Sequence, residues 1–170
     1  MSARSTHEKW MKAALEEAGT ALALGEFPVG CVMVYENRIV SVGARLNSRT
    51  DGNELDHAEV VALRSLSSLL PGIDYAQVVA YSTMEPCLMC FSTLILNGIR
   101  TIVYGYEDVM GGGSSLDLGA LPPLYRAMQV SVIPGVCRRE CLAIFKQYFL
   151  DDNNLYWRNS LLATYTIAQN

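Results

Sequence analysis

The chain has 170 residues, 51% of them hydrophobic, which suits one domain with a well-buried core. Thirteen Lys and Arg against seventeen Asp and Glu leave a net charge of −4, so there is no overall attraction to phosphate backbones and a nucleic-acid partner must be met by a local patch. The opening stretch MSARSTHEKW lacks the apolar run of a signal peptide, and no segment approaches the ~18 consecutive apolar residues of a membrane span; a cytoplasmic protein is expected.

Met11, Leu15, Ala18 and Leu22 recur at helical spacing and predict an amphipathic helix over about 5–24, closed near Gly25. VGCVMVY (29–35) is almost wholly apolar and reads as a strand buried on both faces; ENR turns it into a hairpin partner, IVSVGA (39–44). Residues 45–56 are polar, hold Gly52 and Asn53, and lead as a loop to a helix starting near His57. QVVAYST is a third strand, Cys87–Asn97 a helix ending at Gly98, and TIVYG a fourth strand. Helices alternating with short apolar strands imply crossover units and a sheet covered on both faces. EDVMGGGSSLDLG then reads as a flexible lid or a linker, and LPPLYRAMQ leads to a short strand, VSVI. Cys141, Ile144, Phe145, Tyr148 and Phe149 mark an amphipathic helix; DDNN interrupts it, and a last helix is expected through Trp157, Leu161 and Tyr165.

Two short motifs carry the chemistry. LDHAEVVALR places His57 two residues before Glu59 at a helix start, and TMEPCLMC places Cys87 and Cys90 three apart at the next. That spacing puts both thiols on one helix face, with Pro86 suited to the first turn, and the dipole at a helix start favours thiolate. The crevice beyond the carboxyl ends of the strands is where such helix starts converge. One imidazole and two thiolates cancel the charge of Zn²⁺ and leave its fourth tetrahedral position for water, which is a catalytic rather than a structural arrangement. Glu59 is off the ligand face and free to move protons. A Cys-x-x-Cys by itself would equally suit a buried pair or a redox couple, and Glu59 an ordinary first-turn acid. A zinc-stabilised binding module without chemistry is the rival of another class; it predicts a fourth protein ligand from Asp56, Asp108 or another cysteine. Cys31 reads as core, and Cys137 with Cys141 as core in preference to a second metal site.

His-x-Glu followed by Pro-Cys-x-x-Cys is the signature of the zinc nucleobase deaminases. Together with HEKWMKAAL, EFPVGCVMV, IRTIVYGYED, the glycine-rich loop and CRRECL it covers most of the first 150 residues. The sequence resembles the cytidine-deaminase-like superfamily, and within it the bacterial tRNA adenosine deaminases. The resemblance implies a three-layer α/β/α sandwich with a five-stranded mixed sheet, a zinc-dependent deaminase domain over 1–150, and a homodimer. Residues 151–170 would be a helical extension packing on the same domain or on the partner of that dimer. His57, Cys87 and Cys90 would hold zinc and Glu59 would shuttle protons. Val29, Arg45, Asn47 and Asp108 would contact substrate, although an ordinary turn also accounts for Asp108. Where the family has Gly-x-Asn, this chain reads GARLN, so Arg45 takes the asparagine's place and Asn47 lies two residues further on. The tail, DDNNLYWRNSLLATYTIAQN, has one Arg and two Asp where the tRNA enzymes carry basic residues. Arg45, Arg49, Arg64, Arg138, Arg139 and Lys146 are candidates for a basic patch or are solvated surface charge. The implied substrate is adenosine in a tRNA anticodon loop, or else a free base or nucleoside such as cytosine, guanine or an adenine derivative.

Overall fold

The protein is described by a computed structural model covering residues 3–49, 53–70 and 72–169; Gly52, expected in the loop ahead of the second helix, lies outside them. In chain order the elements are α1 (Ala3–Ala23), β1 (Gly30–Tyr35), β2 (Arg38–Ala44), α2 (Ala58–Leu69), β3 (Val79–Met84), α3 (Leu88–Leu96), β4 (Thr101–Tyr106), α4 (Pro123–Arg126), β5 (Ser131–Ile133), α5 (Arg138–Leu150) and α6 (Leu161–Ala168). No helix among the described residues is long and apolar enough to cross a membrane.

The five strands form one sheet in the order β2-β1-β3-β4-β5. β1 is antiparallel to both of its neighbours, whereas β3, β4 and β5 run parallel. The hairpin closes through Glu36 and Asn37, both at positive φ (47° and 59°), the geometry whose twist matches that of the flanking strands. α1 and α5 pack together over one face of the sheet, and α2 and α3 over the other. Gly30 and Gly43 allow the helices this close: a Cβ on Gly30 would stand 2.1 Å from Ala14 O in α1, and one on Gly43 would stand 2.2 Å from Ala58 O in α2. The core between the layers is built from Met11, Val32, Met33, Leu66, Ile102 and Phe145, all buried.

Three expectations are corrected. The last helix does not include Trp157, which sits in a turn at φ 57°; it starts at Leu161, where Ser160 Oγ accepts from Ala163 N at 3.1 Å, a capping geometry that fixes the boundary. Pro86 precedes the helix instead of opening it, because Cys87 is extended (ψ 170°) and forms the N-cap of α3. The glycine-rich loop is no linker, since it is bonded to the start of α3. Gly113 N donates to Pro86 O at 2.9 Å, and Ser114 Oγ donates to Glu85 Oε1 at 2.5 Å. The short α4 was not anticipated, although Pro123 at its first position is a signal for one. α6 packs on α5 of the same chain and buries Leu162, Ala163 and Thr166; Tyr106 OH donates to Thr166 Oγ1 at 3.1 Å.

Candidate active site

β2 and β3 point the same way, being both antiparallel to β1, so the chain leaves them at the same edge of the sheet and enters α2 and α3 there. His57 is the N-cap of α2 and Cys87 the N-cap of α3, both in extended backbone. Because α2 and α3 pack on each other, their first residues meet. His57 Nδ1 lies 3.6 Å from Cys87 Sγ and 3.4 Å from Cys90 Sγ, and one ligand atom from each residue lies within 4.8 Å of the others. His57 Nε2 is 2.9 Å from Glu54 Oε2, leaving Nδ1 to face the thiols.

The electrostatics suit a cation. The Cys87 thiol is lowered to about 4, first by the hydrogen bond with Cys90 and then by His57, while Cys90 retains the proton of the pair and is raised. Burial opposes protonation of His57, but its bonds with Cys87 and Glu54 prevail and raise it to about 9. A soft divalent ion would take the place of the protons that these three groups share. The donor set, one imidazole and two sulfurs, fits zinc with one position left over. Among the described residues no fourth protein ligand joins the group; Asp56 and Asp108, which the closed-site rival requires, stay outside it.

Glu59, in the first turn of α2, is 4% exposed. Its Oε1 accepts from Ser82 Oγ at 2.9 Å. Burial pushes its carboxyl up from the ordinary range, with His57 pulling the other way. Glu59, His57 and Cys87 lie on the wall of a cavity of about 540 Å³ with mainly apolar sides, including Phe27, Val29 and Met84. The C-terminal segment supplies Tyr156, Trp157 and Leu162 to the same wall.

Of the expected substrate contacts, Val29, Arg45 and Asp108 line the cavity and Asn47 does not. Asn47 is exposed, and its amide donates to Asp56 Oδ2 at 2.7 Å. Arg45 is 2% exposed, and its guanidinium donates to Leu46 O, Asn53 O and Glu54 Oε2 at 3.0, 2.7 and 3.3 Å. Asp108 Oδ1 accepts from Met110 N and Gly111 N, both at 2.9 Å, and shapes the turn beside the cavity. Sequence reasoning passed over Glu54, Ser82, Tyr156 and Trp157. The last two left a signal, an aromatic pair beside Leu155 in a mainly polar linker. Of the basic candidates, Arg49 and Lys146 donate to the carbonyls of Leu24 and Gln169, Arg64 is paired with Asp56, and Arg138 with Glu107. Cys31 and Cys141 are buried, Cys141 against Gly105.

Residues 4–106 match the family described as the cytidine and deoxycytidylate deaminase zinc-binding region. The chain belongs to that family. The deaminase is 32% identical to "tRNA-specific adenosine deaminase 2" of Danio rerio over 86% of its own length and 72% of the relative's. It is 30% identical to the "tRNA-specific adenosine deaminase" of Bacillus subtilis over 84% and 88%. A solved structure from studies of A-to-I editing by tRNA:A34 deaminases at the wobble position superposes with a TM-score of 0.69 at 27% identity, covering 80% of this chain and 98% of that one. The deaminase is thus a zinc-dependent hydrolase of carbon–nitrogen bonds with a cytidine-deaminase-like fold, and His57, Cys87 and Cys90 are arranged for its metal.

Proposed function

We propose that the deaminase converts adenosine to inosine in tRNA, with Glu59 as the proton carrier. The observation that carries the chemistry is the buried Glu59 carboxylate on the wall of the cavity that His57 and Cys87 also line, where a water and an amino-base can meet. Zinc held by His57, Cys87 and Cys90 would lower the pKa of water to about 7 and so supply the nucleophile. Glu59 accepts a proton from the attacking water, hands it to ring nitrogen N1, and carries the second proton to the departing amine. Ammonia leaves and a carbonyl remains at C6. The names of the relatives support the substrate, and the cavity accommodates a single base swung out of an unpaired loop at little unstacking cost. Val29 and Asp108 are the wall residues assigned to the base. A cytoplasmic homodimer is the setting this reading implies.

A second reading, deamination of a free base or nucleoside, is favoured by one observation. Tyr156, Trp157 and Leu162 narrow the cavity with an apolar wall, and the tail that bears them is not basic. The deciding assay measures ammonia release from an anticodon stem-loop, adenosine, cytosine, cytidine and guanine at low and high salt. Stem-loop turnover that falls steeply with salt supports tRNA, whereas salt-insensitive turnover of a free base with silence on RNA overturns it in favour of the second reading.

A further inference from the structure

We propose that Glu54 is a positioning residue for the metal ligand His57, and that the C-terminal segment reaches the metal centre through it. The inference rests on the triad being the zinc site, but not on which substrate is deaminated.

An imidazole ligates through one nitrogen, and the partner of the other decides which nitrogen that is. Glu54 Oε2 stands 2.9 Å from His57 Nε2. A carboxylate only accepts, so the hydrogen stays on Nε2 and the lone pair of Nδ1 is left facing Cys87 and Cys90. By itself Glu54 is a poor anchor, because it lies in a loop and its side chain is 49% exposed. Two donors remove that freedom. Tyr156 OH is 3.0 Å from each carboxylate oxygen, across 102 residues of sequence, and Arg45 Nη2 is 3.3 Å from Oε2. Both donors are themselves held. The Arg45 guanidinium is pinned by the carbonyls of Leu46 and Asn53, and the Tyr156 ring lies 5.4 Å from both Phe27 and Trp157, centroid to centroid. Arg45 stands where the resemblance would put a base-contacting asparagine; here its bonds serve the carboxylate behind the metal ligand. The tail contributes a hydroxyl that bridges both oxygens of that carboxylate.

The test is zinc affinity of the full-length protein, by competition with a chromogenic chelator, with the visible spectrum of the cobalt-substituted protein as a second readout. Glu54→Ala is expected to weaken zinc binding about 10–100-fold and to alter the cobalt spectrum. Glu54→Gln, which retains an oxygen acceptor for Nε2, loses less. Tyr156→Phe keeps the ring packing and removes only the hydroxyl, and is expected to shift affinity several-fold in the same direction, with thermal unfolding of the metal-free protein unchanged. A Glu54→Ala protein within twofold of the parent overturns the role of Glu54, and a Tyr156→Phe protein within twofold overturns that of the tail. A parent that holds no stoichiometric zinc overturns this inference and the zinc reading of the site together, whereas normal variant affinities in an active parent overturn this inference alone.

Discussion

Ser82 holds Glu59: its hydroxyl donates to Oε1 at 2.9 Å from the middle of β3, fixing a buried carboxylate at the start of α2. The bond ties the proposed proton carrier to the sheet. Glu59→Gln is therefore expected to keep full zinc content and lose turnover by roughly 10³-fold, the scale of general acid–base catalysis. Metal analysis beside an ammonia-release assay checks both halves. Loss of zinc in this variant would refute the proton-carrier role.

Cys87→Ala and Cys90→Ala should fail in the opposite order, losing metal first and activity as a consequence. Zinc that binds only the folded chain adds stability by mass action, about 4 kcal/mol at a thousandfold excess over its dissociation constant. Melting temperature of the parent should then rise with added zinc, and that of either variant should not. Zinc titrated into unbuffered parent should also release protons, because the metal displaces those shared by His57 and the thiols.

Away from the metal, Arg138 and Tyr165 both donate to Glu107, the arginine through two nitrogens, and together they outweigh burial to hold the Glu107 carboxyl below its ordinary range. A carboxyl whose folded pKa is depressed contributes stability that is present above its unfolded value, about 4.3, and lost as pH falls through the folded value. The stability difference between parent and Glu107→Gln is expected to be largest near neutrality and to close below pH ~4. Urea midpoints measured from pH 7 downward test this; a difference constant with pH would refute it.

Two glycines should respond with opposite signs to the same change. Gly43→Ala sets a Cβ 2.2 Å from Ala58 O and 2.6 Å from Ala62 N, so α2 must shift and carry His57 with it. A cost of about 3 kcal/mol is expected, together with weaker zinc binding. Gly19→Ala, inside α1 with nothing within 4 Å of the new Cβ, should stabilise by about 1 kcal/mol. Denaturant unfolding of the two variants reads both directly.

Local chemistry makes much of this molecule legible in its sequence. His57, Cys87 and Cys90 stand out because ligands on helix starts need fixed short spacings, Glu59 because it follows His57 by two, and the hairpin at Glu36–Asn37 because it joins two apolar runs. What stayed hidden was set by partners far along the chain. Arg45 lines the cavity, as its place in the sequence suggests, but the carbonyls of Leu46 and Asn53 that hold its guanidinium cannot be read from spacing. Glu54 passed for a loop acid because the hydroxyl that fixes it lies 102 residues away. The boundary of α6 is hidden because Trp157, at helical spacing from Leu161, lines the cavity instead of continuing the helix.

Neither His57 nor Cys87 makes a side-chain hydrogen bond to cap the helix that it begins. A Ser, Thr, Asp or Asn at such a position contributes about 1 kcal/mol to a helix by occupying backbone N–H groups that the first turn leaves free. In this chain both places that matter most for the ends of α2 and α3 are given to residues with a different employment. A capping residue at Cys87 would therefore add about 1 kcal/mol to the metal-free chain and give up the larger stabilisation of bound zinc, so the ends of these helices are strengthened by the ion in place of a cap.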